Sequence, residues 1–300
     1  MSLNENADID TSQVTDARGS GEGLGGMRLP GGGGLVGTLI VVALLIIGGI
    51  TGVNVLGGDD SGGGDLTQCS TANPDRLNQR DCRNALYVNS IQAYWTKALP
   101  EVYAKQYQEA DTVFFSNAVN TGCGAAESGM GPFYCPLDHL VYIDLSFYDE
   151  LANRFGAKGE FAQPYVLAHE YGHHVQSLLG TEAQVRRQQQ RDPENANELS
   201  VMMELQADCY AGAWAKHATE TTDASGHPIF KSVTQQDVDQ ALDAAASIGD
   251  DVIQKKAGGP VNESKFTHGT AAQRKGWFAA GYNTGDPRHC DTFSGVNPPA

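Results

Sequence analysis

The segment His169-Glu170-Tyr171-Gly172-His173 constrains this chain more than any other. Histidines four apart stack one above the other on a helix, because four residues turn through about 400°. Pro164 suits the first turn of such a helix and Gly180 its C-terminal stop. There, two neutral imidazoles can reach one zinc ion, and Glu170 meets the water on the metal instead of the metal itself. His174 lies about 140° around the helix from His169, so it reads as a packing or surface residue.

A third ligand has to come from elsewhere. An elongated HExxHxxGxxH motif would need Gly and His where the chain has Gln176 and Leu179. Glu198 to Ala215 reads as a second helix, with Glu204 and Asp208 four apart on one face. Its other residues, among them Leu199, Val201, Met203, Leu205, Ala207 and Ala211, are apolar almost all round. Two carboxylates buried in such surroundings need pairing or a metal. The spacing assigns Glu204 to zinc and Asp208 to the free N–H of a ligand imidazole, that of His169. A carboxylate di-iron site would need a second Glu-x-x-His beside Glu170-x-x-His173, and the sequence has none.

The formal charge of -16 repels phosphate backbones and speaks against a nucleic-acid partner. Residues 1–34 are polar, Gly-rich and aperiodic, the pattern of a disordered tail. Leu35 to Leu56 carries no charge and, as a helix, measures about 33 Å, enough for a hydrocarbon core of roughly 30 Å. The length of the tail and of the apolar run argues against a cleaved signal peptide. Arg18 and Arg28 precede the run and Asp59, Asp60 and Asp65 follow it. That asymmetry predicts a single-pass anchor with a cytoplasmic N-terminus, a Gly-rich linker at 57–65, and an extracytoplasmic domain at 66–300. Cys69, Cys82, Cys123, Cys135, Cys209 and Cys290 include no Cys-x-x-Cys pair. In an oxidising compartment they suit disulfides, and sequence proximity favours Cys69–Cys82, Cys123–Cys135 and Cys209–Cys290. A free cysteine nucleophile fits neither the compartment nor the even count.

Within the domain, Asp81 to Tyr107 has helical spacing, with a break or restart near Pro100. Val113–Phe115, Phe133–Cys135 and Leu140–Leu145 read as short strands, the second confined to an edge by Pro132. The chain is mostly helical from Pro164 on. Thr270-x-x-Gln273 is a capping-box pattern that starts a helix near Ala271 and leaves His268 in the loop before it.

Several of these segments resemble the neutral zinc metallopeptidase family of bacterial membrane proteins, within the wider zincin peptidases. They are Arg-Leu-Pro-Gly ahead of the apolar run, Gly131 to Pro136, His169 to Gln176, Glu204 to Cys209, Phe266 to Arg274, and Gly285 to Pro287. The resemblance implies an α+β, zincin-like domain: a small mixed sheet packed on an active-site helix and a second ligand helix, behind one transmembrane helix. It implies one Zn2+ and a peptide or protein substrate, added as an extra strand along Gly131 to Tyr134. It also draws attention to His268 as a donor to a developing oxyanion, with Arg274 structural. The expected activity is endopeptidase hydrolysis with Glu170 as general base. A zinc-stabilised envelope module with vestigial catalysis would tolerate loss of Glu170, which is present. A membrane-tethered scaffold would hold no stoichiometric metal.

Overall fold

The computed structural model describes residues 1–19, 66–295 and Pro298. Its strands are β1 (Ser2–Leu3), β2 (Val14–Asp16), β3 (Thr112–Phe115), β4 (Ala118–Thr121), β5 (Gly124–Glu127), β6 (Phe133–Cys135), β7 (Leu140–Asp144) and β8 (Phe230–Ser232). The helices are α1 (Arg80–Tyr103), α2 (Phe147–Glu150), α3 (Ala162–Leu179), α4 (Thr181–Arg191), α5 (Ala196–His217), α6 (Gln235–Ser247), α7 (Asp250–Lys256) and α8 (Ala271–Thr284). The main sheet has the order β2-β3-β7-β6, parallel from β2 through β3 to β7, with β6 antiparallel at the edge that Pro132 requires.

The middle strand β3 is buried along its whole length. Phe114 faces the main core, while Val113 and Phe115 join a smaller cluster with Ala126, Phe133 and Tyr142 on the other face. That period-2 division makes a two-sided strand. On the main-core side, the Tyr171 hydroxyl of α3 meets Thr112 Oγ1 at 2.9 Å and donates to the Ala110 carbonyl at 2.7 Å. This ties α3 to the end of β3. Helices α3, α5 and α8 then pack in succession. Gly212 and Gly281 let the last two touch backbone to backbone: a Cβ on Gly281 would lie 1.9 Å from the Cys209 carbonyl oxygen.

One local expectation is overturned, one element was unforeseen, and one open choice is settled. α1 runs unbroken through Pro100 and ends at Ala104 in the left-handed region (φ 52°). Thr96, whose carbonyl loses the Pro100 bond, is exposed, so water can take its place. The hairpin β4–β5 was not legible, because Gly124-Ala125-Ala126-Glu127 has little β propensity. It is held from outside its own sequence, by the Cys123–Cys135 bridge and by Asp138, which accepts from the Gly122 N–H at 2.6 Å. His174 is 1 % exposed, wedged between the Gln108 carbonyl and the Tyr134 hydroxyl, which selects packing over surface.

The larger correction concerns the N-terminal segment and the membrane. Residues 1–19 pack on the domain: β1 pairs with β8, and β2 adds a parallel strand beside β3. Arg76, itself buried, donates to the carbonyls of Glu5 and Ala7. Arg18, expected as a positive charge marking the cytoplasmic side, is buried and ion-paired with Asp16 and Asp81 at 2.7 and 2.8 Å. Two segments on opposite sides of a bilayer cannot share one sheet. The single-pass topology with a cytoplasmic N-terminus and an extracytoplasmic domain is therefore overturned. No helix among the described residues is long and apolar enough to cross a membrane, and the expected span at 35–56 lies outside them. The fold is a mixed α/β arrangement, its sheet carrying parallel strands contributed from distant parts of the chain, in place of the expected α+β zincin-like domain behind a transmembrane helix. The three disulfides pair as proximity suggested, Cys69–Cys82, Cys123–Cys135 and Cys209–Cys290.

Candidate metal centre

α3 carries His169, Glu170 and His173, all buried, and ends where Gly180 takes φ 79°. α5 lies against it, and the contact is close because Gly172 faces the backbone of Ala207. Glu204, one turn before Ala207, thereby reaches both rings: Oε2 lies 3.1 Å from His169 Nε2 and Oε1 3.4 Å from His173 Nε2. The ligand atoms of His169, His173 and Glu204 all fall within 4.8 Å of one another. Two other donor groups of that kind occur among the described residues. One contains the Cys69–Cys82 disulfide, and the other, Asp8 with Asp223 and His227, is a surface cluster.

Around these three side chains the polar groups are matched almost atom by atom. Asp208, fully buried, accepts from His169 Nδ1 at 2.8 Å, from the Tyr165 hydroxyl at 2.6 Å, and from Arg274 Nε and Nη2 at 2.8 and 3.0 Å. A carboxylate at Nδ1 keeps a proton there, so Nε2 is the nitrogen offered toward Glu204 and a metal. His173 Nδ1 meets Gln176 Oε1 at 2.9 Å, so its Nε2 also faces Glu204. Against that completeness, two buried atoms have no hydrogen-bond partner, Glu170 Oε2 and His173 Nε2. Buried orphans of this kind call for an explanation, and a cation with a water beside it supplies one. The donor set of two imidazoles and a carboxylate, with a free carboxylate next to it, fits zinc with an open position.

The electrostatics agree with the packing. Burial works against the charge on Glu204, but His173 and His169 hold its pKa well below the usual carboxylate range. Burial likewise opposes protonation of His169, yet Asp208 and Glu204 outweigh it and hold the metal-free imidazole up at about 10. Glu170 has no such partner, and burial raises it above the ordinary value against the pull of His169 and His173. It faces a small cavity whose apolar walls include Pro132, Phe147, Val166 and Ile248. His268 reaches the same cavity from the loop before α8. Its ring Nδ1 and main-chain N–H are held by Asp250 at 3.1 and 2.7 Å. The Thr270–Gln273 capping box forms as the sequence indicated.

The structure thus brings His169, Glu170, His173, Glu204, Asp208 and His268 to one place. Sequence reasoning missed Tyr165, Gln176, Gln206 and Asp250, and gave Arg274 no part in the site. Tyr165 and Gln176 sat at helical spacing from the histidines (i−4 from His169, i+3 from His173), a signal that was available. Asp250 carried none, because only the fold sets α7 beside the His268 loop.

A family model described as "Putative neutral zinc metallopeptidase" matches residues 4–293. A relative from Escherichia coli (strain K12), "Uncharacterized protein YpfJ", is 40% identical over 294 residues, covering 95% of this chain and 96% of its own. "Uncharacterized protein Rv2575" of Mycobacterium tuberculosis (strain ATCC 25618 / H37Rv) is 46% identical over 238 residues, 78% of each chain. No solved structure matches, so the expected zincin-like architecture finds no counterpart there.

Proposed function

The chain belongs to the neutral zinc metallopeptidase family, and from that premise we propose that it is a zinc-dependent endopeptidase whose general base is Glu170. The observation that carries this reading is the pair of orphaned atoms, Glu170 Oε2 and His173 Nε2, beside three converging donors in an otherwise satisfied buried network. His169, His173 and Glu204 would hold the ion. Zinc, when bound, lowers the pKa of a water and polarises the scissile carbonyl.

Each remaining step belongs to the chain's own residues. Glu170, unpaired and raised by burial, is suited to accept a proton from the attacking water and pass it to the leaving amine. His268 is held by Asp250 at Nδ1, which leaves Nε2 for the developing negative charge on the substrate oxygen. Asp208 holds His169, and Arg274 neutralises Asp208. Substrates are peptides or proteins. Three disulfides with no free cysteine among the described residues suit an oxidising compartment.

The test compares wild type with Glu170→Gln on a peptide library, alongside elemental analysis of protein purified without chelator. Both proteins should carry one zinc, and only wild type should hydrolyse. Undiminished proteolysis by the variant, or wild-type protein without stoichiometric zinc, would overturn the assignment.

A further inference from the structure

His169 Nδ1 is held by a charged group, Asp208, whereas His173 Nδ1 meets only a neutral amide, and a neutral amide can turn either way. What decides its direction lies beyond it. Gln176 is fully buried, and its Nε2 donates to the Met203 carbonyl at 2.8 Å and to Gln206 Oε1 at 3.1 Å. Gln206 Nε2 in turn donates to the Cys290 carbonyl at 2.8 Å. Main-chain carbonyls only accept. Gln206 must therefore present its amino group to Cys290, which leaves its oxygen for Gln176. Gln176 must present its amino group to Met203 and Gln206, which leaves its oxygen for His173. The sole partner of His173 Nδ1 is then an acceptor, so Nδ1 carries a proton and Nε2 is the nitrogen turned toward Glu204. Turning either amide would set acceptor against acceptor in a buried place.

We infer that Gln176 is the positioning residue for His173, its direction fixed twice, by the Met203 carbonyl on α5 and, through Gln206, by the Cys290 carbonyl. The disulfide from Cys290 to Cys209 fastens that second carbonyl to α5, the helix that carries Glu204. The tautomer of one donor of the centre is thus written into the main chain of its neighbours. The inference rests on reading His173 as a zinc ligand, but the tautomer itself can be observed without metal.

The experiment uses the full chain and two readouts, zinc affinity by chelator competition and the ring 15N signals of His173 in metal-free protein. Wild type should show Nδ1 protonated. Gln176→Met keeps the bulk and removes the amide; zinc should bind about 10- to 100-fold more weakly and the ring should show mixed tautomers. Gln176→Glu keeps an acceptor at Nδ1 and, with its second oxygen protonated toward the Met203 carbonyl, should retain the Nδ1 proton, an outcome that loss of packing alone would not give. Gln206→Met removes one of the two restraints and should weaken zinc binding less than Gln176→Met does. Unchanged zinc affinity with Nδ1 still fully protonated in Gln176→Met overturns the inference, and so does a wild-type ring with no proton on Nδ1. If Gln176→Met does not fold, Gln206→Met decides, and a zinc affinity equal to wild type counts against the relay. Wild-type protein that binds no zinc yet shows Nδ1 protonated would defeat the metallopeptidase reading and leave the relay standing.

Discussion

Gly172 separates the two histidines of α3 where that helix packs closely on α5, so Gly172→Ala sets helix propensity against site geometry. An alanine Cβ there would lie 2.9 Å from the Ala207 Cα and 3.1 Å from the Ala207 Cβ and carbonyl oxygen. Ordinary contact begins at 3.4 Å, so the helices must part by about 0.5 Å. Alanine favours a helix over glycine by about 0.8–1.0 kcal/mol, while such overpacking costs about 1–3 kcal/mol. The metal-free protein should therefore lose no more than about 2 kcal/mol. Zinc is less forgiving, since ligand distances must hold to within about 0.2 Å. Moving His169 and His173 away from Glu204 by more than twice that should weaken zinc by about tenfold or more, roughly 1.4 kcal/mol. Chelator competition measures the affinity, and thermal unfolding of the metal-free protein measures the stability. A variant that binds zinc as tightly as wild type would refute the argument that this glycine sets the spacing of the centre.

Arg274→Met should leave Asp208 buried without its countercharge and cost about 3–5 kcal/mol in chemical denaturation; adding Asp208→Leu should recover much of that loss, and a double variant no more stable than the single one would contradict it. Zinc at a hundred times its dissociation constant should add about 2.7 kcal/mol of stability, seen as a fall in Tm when EDTA removes it; a Tm indifferent to EDTA would count against a resident ion. Removing residues 1–18 strips the β2 partner from β3 and bares a buried strand edge, so the shortened protein should self-associate in light scattering. A monodisperse monomer would show that the N-terminal strands cover nothing of consequence.

The active-site helix was legible because its evidence is local. The spacing of His169 and His173, the Pro and Gly at its ends, and the apolar surroundings of Glu204 and Asp208 are all properties of continuous segments with one period. Short-range rules of the same kind found the Pro132 edge strand, the Thr270–Gln273 cap and the disulfide pairs that close short loops. They failed at residues 1–19, where strands of two and three residues are too short to show any period. Their partners lie at Phe230–Ser232 and Thr112–Phe115, which nothing in the segment announces. Arg18 showed the same ambiguity: a cation ahead of an apolar run reads as a topology signal until Asp16 and Asp81 are found around it.

By itself, then, the amino-acid order determined which donors could share an ion, because helical periodicity converts spacing into direction. Tertiary structure alone decided that α3 meets α5 at Gly172, that Arg274 and Asp208 neutralise one another, that two carbonyls orient Gln176, and that the N-terminus completes the sheet. Those are contacts between residues far apart in the chain. A buried charge or a bare strand edge states what it needs, but only the folded backbone determines which distant group supplies it.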